Sequence, residues 1–188
     1  MVQHNELEAV QKLYIDHQDY YKFLMENGQI SFANDYLSQF SKIFLLAAAS
    51  YFEGSLLRAI HGMVNPSKCV LTTDFIDNKA LKRQYHTLFD WATPSASGFF
   101  SLFGVGFKDF MKAKIRNDAN LKESINSFLE IGSLRNQLVH NNFATFALQA
   151  TASEIFIKFN DANLFVQQLP IFAMQYLVEF VSEGSLKT

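Results

Sequence analysis

Apolar residues along the chain recur at helical intervals, and the strict apolar/polar alternation of a half-buried strand is scarce. Leu7, Val10, Leu13, Tyr14, Tyr21 and Leu24 fall near one stripe and predict a first helix from Asn5 to Glu26, stopped by Asn27-Gly28. A second helix begins after Ser31 and continues to Met63, before Asn65-Pro66, because the residue preceding a proline is pushed out of helical geometry. A third covers Ile76 to Trp91. Residues 98–116, GFFSLFGVGFKDFMKAKIR, are rich in Phe and broken by glycine at first, then helical and basic. A further helix spans Leu121 to Val139 and stops at His140-Asn141-Asn142. Thr151 and Glu154 have capping-box spacing and open a short helix, although the stretch from Glu154 to Phe159 also reads as a strand. The last helix runs from Leu169 to Val181, with Pro170 in its first turn, where a missing N–H is harmless. The pattern predicts an all-α domain built as an antiparallel helical bundle. No repeat, linker or low-complexity segment divides it, so residues 1–188 read as one domain, with an N-terminal helix in 1–30 and a helical core in 31–182.

Composition narrows the class. A chain of 188 residues, 49% hydrophobic and 18% charged, lies far from the composition of disordered proteins. At that length it can bury roughly 70% of the surface its unfolded form exposes. The net charge of -2 excludes a uniformly basic chain that coats long stretches of nucleic acid. The lone Cys69 allows no internal disulfide and no thiolate metal cluster, and the absence of a charged-then-apolar leader reads as a cytoplasmic chain. The longest unbroken apolar stretch, Ile43 to Ala49, is shorter than the roughly 20 residues that cross a bilayer, so no membrane association is expected. His4, His17, His61 and His86 lack metal-ligand spacing, and Gly104-Val105-Gly106 lacks the strand and further glycines of a dinucleotide fingerprint. Neither a metal nor a cofactor is expected. The 20 Phe residues exceed what one small core comfortably holds, which points to a buried dimer face.

The informative chemistry sits in the helix LKESINSFLEIGSLRNQLVHNN. At 100° per residue, Phe128, Ile131, Leu134, Leu138 and Val139 form one apolar arc, and Arg135 falls inside it. A guanidinium cannot shed its charge, so this position demands a carboxylate, a bound anion or a polar cavity. Between Lys42 and Arg58 the second helix carries one carboxylate, Glu53, among the small residues Ala47, Ala48, Ala49, Ser50 and Gly54, and Glu53 is expected to meet Arg135 across the helix pair. His140 follows Arg135 by five residues at a helix end, where the dipole favours an imidazolium, and Asn136 lies one turn before it on the same side. Arginine can neutralise a phosphate and histidine can move a proton, the pair needed to cleave RNA through its own 2′-hydroxyl. Lys108, Lys112, Lys114 and Arg116 form a basic run that could contact RNA phosphates, or simply a solvated face.

The segment Arg135-Asn136-Gln137-Leu138-Val139-His140-Asn141 resembles the Arg-x4-6-His motif of the HEPN superfamily, including its polar residue directly after the arginine. Glu53, within SYFEGSLLRAI, resembles the acidic position that several HEPN groups place near that motif, and the general layout is similar to the RiboL-PSP type of HEPN protein. The resemblance covers residues 31–182. It implies a HEPN-type bundle with extra helices and a metal-independent endoribonuclease of a toxin or antiviral defence type, acting as a homodimer with a composite site at the subunit interface. On that resemblance Arg135 binds the scissile phosphate, His140 is general base or acid, Asn136 orients one of them, and Glu53 and Asn141 support the site. The products would carry a 2′,3′-cyclic phosphate and a 5′-hydroxyl, and an antitoxin or other regulatory protein would control the activity. The alternative is a non-catalytic HEPN-like module for nucleotide or RNA binding, or for protein interaction.

Overall fold

The computed structural model describes residues 2–81, 85–93 and 95–185, and the side chains of 5–81, 85–93 and 95–180. Its helices are α1 (Val2–Glu26), α2 (Ile30–Val64), α3 (Val70–Ile76), α4 (Ser97–Ser101), α5 (Val105–Asn117), α6 (Ala119–His140) and α7 (Ala152–Ser185). A π-helical turn, Asp77–Leu81, follows α3, and a 3-10 turn covers Tyr85–Thr87. No strand occurs among the described residues, which hold one isolated bridge between Asp90 and Ser95.

The burial pattern of α2 dictates the rest. Phe40, Phe44, Ala48, Phe52, Leu56 and Ala59 are buried at three- and four-residue intervals in a stripe that drifts around the helix, and Ser41, Lys42, Tyr51 and Ile60 are buried as well. A helix apolar around so much of its circumference needs neighbours on several faces, and α1, α6 and α7 supply them. α1 runs antiparallel to α2: Glu6 pairs with Arg58 at 2.7 Å, and His17 stacks on Phe40. α7 runs in the same direction as α2: Phe156 lies beside Phe44, the Tyr51 hydroxyl donates to Asn163 Oδ1 at 2.8 Å, and Pro170 faces Gly62. α6 opposes both, with Phe128 edge-on to Phe52 and to Phe165, and Glu130 paired with Lys158 of α7. The four long helices thus form the bundle, and α3, α4 and α5 are the extra helices carried in the crossover from α2 to α6. Truncating an interior ring such as Phe128 to alanine is worth about 3–5 kcal/mol at such a site.

Local signals account for the helix ends. Gly28 takes a positive φ of 71° where α1 stops, the left-handed conformation that favours glycine. Asp118 caps α6 by accepting from the Leu121 amide at 3.0 Å. Thr151 and Glu154 form a reciprocal capping box: the Glu154 carboxylate accepts from the Thr151 amide at 2.8 Å, and the Glu154 amide donates to the Thr151 hydroxyl at 3.2 Å.

Several expectations are corrected. The helical reading of residues 154–159 holds over the strand alternative, but the two helices predicted in the C-terminal third are one, α7, with Pro170 inside it. Pro170 cannot donate to the carbonyl one turn back. Another interruption comes from Ser124 of α6, whose hydroxyl donates to the Asp161 carbonyl at 2.7 Å and accepts from the Phe165 amide at 2.7 Å. Those two groups pair with each other in an unbroken helix, yet burial against α2 and α6 keeps α7 helical through both points. The helix predicted over Ile76 to Trp91 is replaced by short turns; its residues 82–84 lie outside the described residues. The Phe surplus is largely absorbed by one core, which contains Phe44, Phe52, Phe99, Phe100, Phe128, Phe159 and Phe165, while Phe23, Phe32, Phe75, Phe143 and Phe180 are exposed. By length and composition α2 is apolar enough to cross a membrane, which a count of unbroken apolar residues overlooks. Much of its apolar surface is taken up by packing against α1, α6 and α7, although Ile30, Phe32, Ile43 and Val64 are exposed.

His17 is a costly member of this core. It is 5% exposed, stacks on Phe40 with ring centroids 3.7 Å apart, and its Nδ1 meets no hydrogen-bond partner among the described residues. Burial pushes its pKa below the ordinary 6.5. Below pH 6.5 the unfolded chain therefore takes up a proton that the folded chain resists, and stability falls as pH drops through that region; above it the neutral ring contributes fully. His17→Phe keeps the stacked ring and removes the titration. Thermal melts at a series of pH values are expected to show the variant gaining on the wild type as the solution is acidified below 6.5; parallel curves would contradict this account.

Candidate functional site

The C-terminal half of α6 closes a cleft of about 560 Å³ lined by Glu53 of α2, Tyr85, His86, Arg135, Asn136, Val139 and His140. Arg135 is half-buried, as its place on the wheel requires, and donates through Nη1 to the Asn136 side-chain oxygen at 3.2 Å. Asn136 and His140, one turn apart, share the cleft side of the helix. Val139, assigned to the apolar arc, is 45% exposed and forms part of the cleft wall.

Glu53 lines the same cleft, but it makes no hydrogen bond or ion pair with Arg135 among the described residues. Both groups act on Tyr85. Burial pushes the Tyr85 hydroxyl well above the ordinary tyrosine range, the negative charge of Glu53 adds to the shift, and Arg135 opposes it. The phenol therefore stays protonated at the cleft wall. Asn141 does not line the cleft; its side-chain amide donates to the Gln137 carbonyl at 2.7 Å and finishes the helix. None of the four basic residues of α5 lines it either. Lys112 and Arg116 border a separate cleft, Lys114 lies over the Phe110 ring 3.9 Å from Glu179, and Lys108 is half-buried. Among the described residues no group of three or more His, Cys, Asp or Glu side chains is placed to hold a metal ion.

Sequence reasoning missed three contributors. Tyr85 and His86 come from the segment after α3, which no helical period places near α6. Their position depends on Trp91, whose indole N–H donates to the His86 carbonyl at 2.9 Å and whose ring lies against α6 at Gly132. A Cβ at Gly132 would overlap that ring, so the glycine in the middle of α6 is the one residue that lets the indole approach the helix. The third is Lys42, 2% exposed on α2, whose ammonium donates to the Phe143 carbonyl at 2.8 Å and sits 5.2 Å from the Phe143 ring. It ties down the chain just after His140. A lysine amid apolar neighbours was the available signal; its backbone partner was not.

A helical bundle with an arginine and two histidines opening on one cleft is the arrangement of a site that can hold an anion and move protons. The RiboL-PSP-HEPN family model matches residues 6–175, and the chain belongs to that family. No curated protein and no solved structure matches the chain.

Trp91 is the only tryptophan and so reports on its own seat. Gly132→Ala is expected to push the indole off α6, shifting its fluorescence to longer wavelength and raising its quenching by acrylamide, while far-ultraviolet circular dichroism stays helical. An unchanged emission maximum would contradict the seating of the indole on Gly132.

Proposed function

We propose that this protein is an endoribonuclease of a toxin or antiviral defence type that cleaves RNA without a metal ion. The observation that carries the reading is the convergence of Arg135, His140 and His86 on one cleft beside Glu53. Membership of the RiboL-PSP-HEPN family supports it. Arg135 binds the scissile phosphodiester and stabilises the charge that grows on its oxygens. One imidazole removes the proton from the ribose 2′-hydroxyl; the 2′-oxygen bonds to phosphorus, the bond from phosphorus to the 5′-oxygen breaks, and the second imidazole protonates that leaving oxygen. The products are a 2′,3′-cyclic phosphate and a 5′-hydroxyl, with no other reactant consumed. His140 and His86 are the two imidazoles, Asn136 orients the guanidinium through its 3.2 Å hydrogen bond, and Glu53 and protonated Tyr85 set the polarity of the wall.

In this reading the protein acts as a homodimer whose two clefts face each other and make a composite site, and an antitoxin or other regulatory protein restrains it. Light scattering at working concentration is expected to give a dimer; a monomer would remove the composite site and leave the chemistry of the single cleft.

Purified protein incubated with RNA in EDTA is expected to produce fragments ending in cyclic phosphate. Arg135→Ala should slow cleavage by about 10²–10³-fold, the loss seen when a charge-stabilising donor is removed. His140→Ala should slow it by about 10²–10⁴-fold, the range for a proton-transfer group. Cleavage that persists in both variants would overturn the site. RNA binding without cleavage by any form would instead identify a non-catalytic HEPN module.

A further inference from the structure

Three concavities follow one another along a single stripe of α6. The first, of about 500 Å³, lies between α4, α5 and α6 and carries Lys112, Arg116 and Lys122 around an apolar floor that includes Phe100 and Ile125. Asn126 belongs to both this cleft and the next, which runs past Trp91 to Ser133. One turn further on, the third begins at Asn136 and ends at His140; it is the cleft of Arg135. Lys122, Asn126, Leu129, Ser133, Asn136 and His140 are spaced by alternating steps of four and three, so they share one face of the helix. At 1.5 Å per residue, Lys122 and Arg135 are about 20 Å apart along the axis.

We propose that this stripe is the bed of a single strand of RNA, with Arg116 and Lys122 holding a phosphate several nucleotides from the one gripped by Arg135. The inference rests on the ribonuclease reading above and names where its substrate lies. Charge supports the direction of the path. Among the described residues neither Arg116 nor Lys122 has a carboxylate within ion-pair distance, and Lys112 has only the exposed Asp109 at 3.4 Å. These cations are available to displace counterions from a phosphate. The central concavity suits a base instead. Its carboxylates are engaged, Glu130 by Lys158 at 2.7 Å and Asp90 by the Ala92 and Thr93 amides at 3.0 and 3.3 Å, and Trp91 forms part of its wall. Phosphates are thus drawn to both ends of the stripe and a base to its middle, the pattern of a groove that tracks a flexible single strand. Lys108 and Lys114 line none of the three concavities and take no part.

The test uses wild-type protein and the double variant Arg116→Gln, Lys122→Gln, both side chains being exposed and remote from the core. The probes are fluorescent 2′-O-methyl RNA oligonucleotides, which lack the attacking hydroxyl and cannot be cut. One is long enough to span the stripe and one only long enough to fill the Arg135 cleft; adenosine monophosphate is a third probe. The double variant is expected to bind the long oligonucleotide several-fold more weakly, with a salt dependence shallower by about 1.4 in log–log slope, the value for two lost contacts to a single strand. It should bind the short oligonucleotide as the wild type does. Equal binding of the long probe by both proteins would overturn the proposal, as would tight binding of the mononucleotide lost in the double variant, which would make the basic cleft a free-nucleotide site. The nuclease reading stands or falls separately: if unmodified RNA is not cleaved while the long-probe difference is present, the bed survives and the catalytic assignment does not.

Discussion

The need to cover α2 governs the molecule. Its 35 residues carry rings and small side chains around most of the circumference, and removing them from water is the favourable term set against the entropy of ordering the neighbours that hide them. α1 folds back along it, α6 and α7 close the remaining faces, and the crossover between α2 and α6 is left to carry α3, α4 and α5 over the outside. Glu53 falls on the part of α2 that this wrapping leaves half-covered, opposite the end of α6 that carries Arg135 and His140. The candidate site is therefore a gap in the cover of the core helix.

What was legible in the sequence were features settled within a turn or two of helix. Asn27-Gly28, the Thr151 and Glu154 box, and the long helical periods of α1, α2 and α6 act locally, and they place the helices close to their observed ends. The position of Arg135 and His140 on one helix was legible for the same reason, as was the isolated carboxylate of Glu53. The residues brought in from a distance were not. Tyr85 and His86 reach the cleft because an indole rests on a glycine more than forty residues away in sequence, and neither residue announces the other. The continuity of α7 was hidden by Pro170, a reliable stop signal in an isolated helix that tertiary burial overrides here. The segment after α3 lacks a period long enough to read, since its elements are single turns.

Charge follows a similar division between the whole and the part. A net charge of -2 describes the chain as nearly neutral, yet its cations are not spread evenly. Lys12, Lys158 and Arg58 are spent on nearby carboxylates at 2.6 to 2.7 Å, whereas Arg135, Arg116 and Lys122 open onto concavities. Local field rather than net charge decides where an anion settles, and the residues that set that field lie on α6 and the end of α5.

The connection from α6 to α7 is fastened near both ends. Lys42 grips the Phe143 carbonyl from inside the bundle, and the Thr151 and Glu154 box fixes the start of α7. A loop held in this way behaves as a shorter one, with little closure entropy left to lose. Insertions in long surface loops are usually absorbed as slack, but here the slack has been removed on the side nearest His140. Residues added or deleted between His140 and Phe143 would be transmitted to the exit of α6, making the length of this short stretch a determinant of where the imidazole stands.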